Sequence, residues 1–446
     1  MKNNLPKAIA FLLLAVLAQA CSSTLTNDQE NEQPVEKKEA VPMEPVRVEV
    51  RQENGGFQLY RGGEPYYIKG AGGTRFLDRL AAYGGNSIRT WSTDNAQEIL
   101  DEAYRNGLTV TLGLDVGRER HGFDYDDPAA VEQQLTELQK EVEKYRNHPA
   151  LLLWGIGNEL NLNYTNPLVW DAVNDIAKMI HEVDPNHPTS TMLAGINQLE
   201  VDYIKENVPE LDILAINAYG GLPDVPARVR SFGWEGPYII TEWGPTGHWE
   251  SQHTSWAAAV EETSGEKAAV YKSRYESTMG RDTTHNLGSY VFLWGQKQER
   301  TPTWYGLFTE DGKETEVVDV MQYLWTGSWP ENRAPHLKSL KLDGKQAEDN
   351  IFLKPDKSYN VNVDVSDPDK DELTYRYELL HESTDLKEGG DREDRPDTVP
   401  DRLTETDGDN ANLQAPVQEG AYRLFVYVYD GHDNVATANI PFYVKK

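Results

Sequence analysis

Two glutamates close apolar runs in this chain: Glu159 ends Leu151-Leu-Leu-Trp-Gly-Ile-Gly-Asn-Glu159, and Glu242 ends Tyr238-Ile-Ile-Thr-Glu242. Such runs read as strands buried on both faces, the kind found in parallel sheets. Glutamate is seldom buried without a partner, so two of them at the mouth of a core point to acid/base and nucleophilic chemistry. The plain alternative is a pair of solvated acids at strand ends.

Six further runs share this character: Tyr66 to Gly70, Ser87 to Trp91, Thr109 to Leu114, Ser190 to Ala194, Ile213 to Asn217 and Ser289 to Trp294. Helical patterns separate them. Asp94-Asn-Ala-Gln97 has the form of a capping box, with Ile99, Leu100, Ala103 and Tyr104 at helical spacing before Asn106-Gly107. Asp127-Pro128 opens another helix, with Val131, Leu135, Leu138 and Val142 on one face. Strands alternating with helices in this way predict a (β/α)8 TIM barrel over residues 47–330.

The 446 residues include 43 basic and 73 acidic side chains, a formal net charge of −30. That charge repels phosphates, so nucleic acid is not expected as a partner, and neutral polymers suit the chain better than strongly anionic ones. Lys2 and Lys7 precede an apolar stretch too short to span a membrane permanently, and Leu17-Ala-Gln-Ala-Cys21 follows as a small-residue cleavage site. The pattern resembles a bacterial lipoprotein signal peptide over residues 1–20. It implies lipidation of Cys21, membrane attachment through that lipid, and a location at the bacterial outer membrane or cell surface. Gln19 departs from the usual small residue, which leaves plain secretion with a free Cys21 open. Residues 21–46 are polar, acidic and proline-bearing and read as a flexible linker.

After Asn332-Arg-Ala-Pro335 the helical patterns stop. Leu373, Tyr375, Tyr377 and Leu379 alternate on one strand and Tyr422, Leu424, Val426 and Val428 on another. Residues 335–446 are read as a β-sandwich resembling immunoglobulin-like or cadherin-like modules, with a spacer as its default role. The acidic segment from His381 to Asn412 reads as a disordered loop rather than a functional one. Asp367, Asp369, Asp371 and Glu378 stand at calcium-loop positions, but Glu372 occupies the place that needs glycine. That excludes an EF-hand and leaves a looser structural calcium site open. No metal-ligating or phosphate-loop motif occurs elsewhere, so no cofactor or catalytic metal is expected.

In a (β/α)8 barrel, residues that close strands face the substrate, and on this count Glu159 follows the fourth strand and Glu242 ends the seventh. The arrangement resembles clan A of the glycoside hydrolases over about residues 60–330, with Asn158-Glu159 and Thr241-Glu242-Trp243-Gly244 matching its two motifs. The resemblance implies that Glu242 is the nucleophile and Glu159 the acid/base of a retaining enzyme, whose carboxyls stand about 5 to 5.5 Å apart. It further implies substrate-side roles for Asn158 toward the sugar 2-hydroxyl, Arg89 and Tyr219 beside the nucleophile, Trp243 next to it, and Trp294 as a sugar-stacking platform. For Arg89 a surface ion pair and for Tyr219 and Trp294 plain core packing are the alternatives. Trp249, Trp256, Trp304 and Tyr305 fall in rim segments where flat rings stack on pyranose faces, or anchor the loops instead. Arg118 and His121 are further candidates for the same cleft.

Tyr67-Ile-Lys-Gly70 and Thr303-Trp-Tyr-Gly-Leu-Phe308 resemble the catalytic barrel of family 2, and the arrangement of barrel then sandwich is similar to bacterial endo-β-1,3-glucanases of family 158. The expectation is therefore a retaining β-glycosidase on a neutral β-linked polysaccharide or oligosaccharide, endo-acting, with β-1,3-glucan first. Two rivals stand beside it: a transglycosylase on the same glycans, and a glycan-binding lipoprotein without catalysis.

Overall fold

Each apolar run contributes a barrel strand buried largely on both faces, although the run from Tyr66 to Gly70 is divided, Tyr66 ending one strand and Ile68 opening the next. The structure, a computed structural model, describes Met1 and residues 41–446, with the side chains of 405–407 left aside. The expected signal peptide, Cys21 and the linker up to residue 40 lie outside the described residues. The first strands, β1 (Val48–Glu53), β2 (Gly56–Arg61) and β3 (Glu64–Tyr66), form a small antiparallel sheet. The barrel follows: β4 (Ile68–Gly72), β5 (Ser87–Arg89), β6 (Thr109–Leu114), β7 (Leu151–Asn158), β8 (Thr189–Ala194), β9 (Ile213–Asn217), β10 (Tyr238–Trp243) and β11 (Asn286–Val291). These eight strands are parallel and close in chain order, β11 pairing with β4. This is the predicted (β/α)8 barrel.

A helix follows every barrel strand, from Leu77–Ala82 after β4 to Glu316–Thr326 after β11. Asp127 caps Pro128–Tyr145 as expected, its carboxylate accepting from Ala129 N and Ala130 N. The capping box expected at Asp94 does not form: Asn95 is the N-cap in a left-handed conformation with no side-chain bond, and Asp94 instead accepts from Ser92 Oγ. Inside the barrel, Gly70 is required by a close approach, since a Cβ there would lie 2.3 Å from the Tyr290 ring. The Tyr290 hydroxyl in turn bonds Ser87 and Thr111 across the barrel.

The small sheet covers the amino-terminal end of the barrel. Val48 N donates to Asn186 O and Phe57 N to Thr284 O, in the loops that enter β8 and β11. Val48 and Leu59 pack with Ile68, Leu152, Leu153, Ile213 and Ile239 in one apolar cluster. Each such side chain contributes about 1.5–3 kcal/mol on burial, so this end is sealed for stability and chemistry is left to the opposite end.

The carboxy-terminal part is a two-sheet sandwich, as predicted. One sheet has the order β12 (His336–Leu342), β14 (Ser358–Ser366), β17 (Asn410–Gln414), β16 (Leu403–Asp407); the other β13 (Ile351–Leu353), β19 (Val435–Val444), β18 (Gly420–Tyr429), β15 (Thr374–His381). Leu379, Tyr422, Leu424, Val426 and Val428 lie in the core between them. Residues Pro42–Lys446 form one unit because this sandwich packs on the barrel. Asn439 donates to buried Glu261, Arg423 to Ala259 O at 2.8 Å, and Thr437 N to Ser264 Oγ at 2.9 Å. Trp256, expected at the sugar-binding rim, packs instead on Phe352 and Tyr443 of the sandwich. Of the calcium-loop residues, Glu378 is paired with Arg395 at 2.9 Å, and Asp369 accepts from Arg333 N. Among the described residues no group of three His, Cys, Asp or Glu side chains is placed to hold a metal ion, and no helix is long and apolar enough to cross a membrane.

Candidate active site

The carboxyl ends of β7 and β10 open into a cleft of about 300 Å³ whose walls include Glu159, Glu242, Asn158, Tyr219, Trp91 and Trp249. Parallel pairing delivers them there, because every βα loop leaves the barrel at the same end. Glu242 is the last charged residue of β10 and is only 6% exposed. Three side chains converge on its carboxylate: Arg89 Nη1 donates to Oε1 at 2.7 Å, Trp91 Nε1 to the same oxygen at 2.8 Å, and Tyr219 hydroxyl to Oε2 at 3.0 Å. Arg89 is itself 1% exposed and also donates to Thr241 O. A charged guanidinium and two neutral donors so arranged hold the carboxylate in one orientation.

Glu159 sits one residue beyond β7 with φ at 53°, a left-handed conformation uncommon for a residue with a side chain. Strain of this kind costs of the order of 1–3 kcal/mol and is kept where surroundings over-determine it. Here the determinants are the irregular pairing of β7 with β8 between Gly155 and Asn158, and the bond from Glu159 N to Met192 O at 2.8 Å. The side chain accepts one amide bond, from Asn217 Nδ2 to Oε1 at 3.0 Å. Burial, and next the negative charge of Glu242, push the Glu159 carboxyl up to about 7, against the opposing pull of Asn217, Arg89 and Arg120.

A relay of amides sets the remaining donors. Thr241 Oγ1 donates to Asn217 Oδ1 at 2.8 Å, which turns Asn217 Nδ2 toward both Glu159 and Asn158 Oδ1. Arg89 Nη2 also donates to Asn158 Oδ1. With two donors on its oxygen, the Asn158 amide is fixed with Nδ2 as the group left to donate.

The cleft gathers Asn158, Glu159, Tyr219 and Glu242 as expected, with Arg89 buried against Glu242 and Asn158, and Trp249 lies on its rim, 56% exposed and edge-on to Tyr219. Arg118 also reaches it, donating to Asn158 O at 3.1 Å. Trp294 and Trp243 do not line the cleft as the resemblance implied, and Trp304 takes the alternative of anchoring a loop. Trp294 is fully buried against Phe308 and Trp325, with Nε1 on Phe76 O. Trp243 is buried between Tyr271 and Tyr275, and Trp304 is buried with Nε1 on Thr246 O, anchoring the loop after β10. The eighth strand ends at Val291, three residues before Trp294, so Phe292 and Leu293 face the cleft in its place.

Other residues that line or support the cleft had no functional reading from sequence. Trp91 shares a face with Arg89 at the two-residue spacing of an extended chain, a signal that was present in Arg89-Thr-Trp91. Asn217 closes β9, and its placement follows the same strand-end logic as the glutamates. Lys297 and Glu299, paired at 2.7 Å, come from the segment after β11. Although burial works the other way, the bond from His248 and the charge of Lys297 hold the Glu299 carboxyl below its usual range.

The last wall is Gly389, Gly390 and Asp391, from the sandwich. The segment expected to be disordered is held in place: Arg300 pairs with buried Glu393, and Arg120 and His121 both bond Asp391 Oδ2, His121 at 2.9 Å. The sandwich is thus part of the cleft and not only a spacer.

Residues 98–248, which include Glu159, Asn217, Tyr219 and Glu242, match the family model for the TIM barrel domain of glycosyl hydrolases family 2. A β-galactosidase of Arthrobacter sp. (strain B7) is 29% identical over 115 residues, covering 24% of this chain and 11% of that protein. β-Galactosidase BoGH2A of Bacteroides ovatus is 22% identical over 285 residues, covering 57% of this chain and 31% of that protein. The chain thus matches less than a third of the length of either relative. Among solved structures, Bacteroides uniformis beta-glucuronidase 2 covalently bound to cyclophellitol-6-carboxylate aziridine superposes with a TM-score of 0.50 at 15% identity, over 89% of this chain and 48% of that one. That likeness is one of fold. Taken with the strand positions of Glu159 and Glu242, the comparisons have one result: the barrel of this chain resembles the catalytic domains of glycoside hydrolase family 2.

Proposed function

We propose that the protein is a retaining β-glycosidase that hydrolyses a neutral β-linked glycan. The observation that carries this reading is the opposite treatment of two glutamates in one cleft, Glu242 clamped by three donors and Glu159 raised to about 7. In the first step a Glu242 oxygen bonds to the anomeric carbon. The bond from that carbon to the glycosidic oxygen breaks, and the oxygen takes its proton from Glu159. In the second step Glu159, now ionised, takes a proton from water as the water oxygen attacks the same carbon and Glu242 leaves. Two inversions give net retention. Asn158 Nδ2 is the donor for the sugar 2-hydroxyl, where contacts tighten in the transition state.

The cations that line the cleft already have partners, which supports a neutral glycan. Lys297 is paired with Glu299, Arg120 with Asp391, and Arg118 bonds Asn158 O. Within neutral glycans we place β-1,3-glucan and endo action first, on the arrangement of a barrel followed directly by a sandwich. Attachment to the membrane through lipid on Cys21 belongs to the same reading, and loss of fatty-acid labelling in Cys21→Ser tests it separately.

The deciding experiment is hydrolysis of a panel of β-glucans, mannans, galactans and xylans, with product sizing and proton NMR of the first-formed anomer. A β-anomer is expected. A first-formed α-anomer would refute retention, and unchanged activity in Glu242→Ala would refute the site.

A further inference from the structure

The sandwich sends one turn, Glu388 to Asp391, into the mouth of the barrel, and three barrel loops hold it there. Asn163, after β7, donates to Glu388 Oε2 at 2.9 Å; Arg120, after β6, reaches Glu388 O and Asp391 Oδ2; Lys297, after β11, donates to Gly390 O at 2.9 Å. Gly389 and Gly390 have φ of 62° and 73°, left-handed values that favour glycine. A Cβ on Gly389 would also lie 2.8 Å from the Arg120 guanidinium carbon. The turn therefore needs both glycines to come this close to the barrel. Behind it, the joint is stiff: Glu261, fully enclosed between barrel and sandwich, bonds Lys267, Thr301, Thr303 and Asn439.

Such a turn is more than a brace, because its inner surface is cleft wall. Gly389, Gly390 and Asp391 line the same cavity as Glu159 and Glu242. Asp391 Oδ2 is used by Arg120 and His121, while among the described residues Oδ1 carries no protein hydrogen bond, and the side chain is 40% exposed. A carboxyl group held through one oxygen by two neighbours, with its other oxygen unbonded, can accept from hydroxyl donors, and neutral sugars offer hydroxyls.

We propose that the Glu388–Asp391 turn is a substrate-binding element that accepts hydroxyls of a sugar unit next to the one being transferred, so that the sandwich takes part in choosing the glycan. The proposal rests on the reading of the cleft as a glycosidase site. It assigns Asp391 a specificity role and the Arg120–His121 pair the task of positioning it.

The test compares wild type, Asp391→Ala and Asp391→Asn as full-length protein on an oligosaccharide of about six units and on the aryl glycoside of its single sugar. The ratio of kcat/KM for the oligosaccharide to that for the aryl glycoside is expected to fall about tenfold in Asp391→Ala, the worth of one charge-assisted hydrogen bond. KM should carry most of that loss, and Asp391→Asn should recover part of it. An unchanged ratio, whether both substrates suffer equally or neither does, overturns the proposal. Thermal melting of each variant identifies a misfolded one. Calorimetric binding of the same oligosaccharide to wild type and Asp391→Ala gives a second reading: tenfold weaker binding supports the wall even if no glycan is hydrolysed, and equal binding overturns it.

Discussion

The ends of β7 and β10 present the same carboxylic acid to the same cleft in opposite surroundings. Glu242 lies within its strand, where the pairing with β9 is irregular, and meets three donors, one of them a buried guanidinium. Glu159 stands just past its strand in a left-handed conformation, meets one amide, and faces the charge of Glu242. In the proposed mechanism these surroundings give two identical side chains two chemistries, an attacking carboxylate and a proton donor. The dependence is also one-way in geometry. Arg89 reaches both sides, bonding Glu242 and Asn158, yet only Glu242 receives its salt bridge.

Replacing each acid in turn breaks the comparison most sharply. Glu242→Ala is expected to lower kcat/KM by at least ~10⁴-fold, since the covalent step has no other nucleophile. Azide placed in the vacated space should return activity with an α-glycosyl azide as product. Hydrolysis at wild-type rates would end the assignment. Glu159→Gln is expected to cost about 10²–10⁴-fold on alkyl or sugar leaving groups, and far less on a dinitrophenyl leaving group that departs without a proton. Equal losses on both leaving groups would mean that Glu159 is not the acid.

The barrel and the two acids were legible because their signals are local. A both-faces-buried strand announces itself in its own apolar run, and a carboxylate at its end stands out against that run. Apart from Trp249, the tryptophans were not legible, because an indole fills a core as well as it stacks on a sugar. Trp294 shows the cost of a boundary error: with β11 ending at Val291, a residue expected at the mouth becomes core, while Phe292 and Leu293 take its place. Gly389 to Asp391 were read as part of a disordered loop, and their place at the cleft was not visible. They lie more than two hundred residues from Glu159 in the chain, and only the docking of the sandwich brings them to it.

A smaller loss probes the Glu242 side. Tyr219→Phe removes one of the three donors, that to Oε2, and leaves Arg89 and Trp91 on Oε1. One hydrogen bond to a charged group is worth about 1.5–3 kcal/mol, so kcat/KM is expected to fall about tenfold or somewhat more. A change below twofold would show that Arg89 and Trp91 suffice to hold the nucleophile.

The finest test acts on the Glu159 side through pH. A general acid must be protonated, so with Glu159 raised to about 7, kcat/KM is full at lower pH and falls as pH rises through that value. Asn217 donates to Glu159 Oε1 and so favours the ionised form, pulling against burial and the Glu242 charge. Asn217→Ala removes that pull, and the alkaline limb is expected to move to higher pH by a fraction of a unit. The same change strips Thr241 Oγ1 of its acceptor in a buried setting, which costs about 1–3 kcal/mol of stability and is read by urea unfolding. The two effects separate cleanly: loss of stability with an unmoved limb would leave Asn217 as scaffold only. A limb displaced to lower pH would reverse the electrostatic account of the raised Glu159 carboxyl.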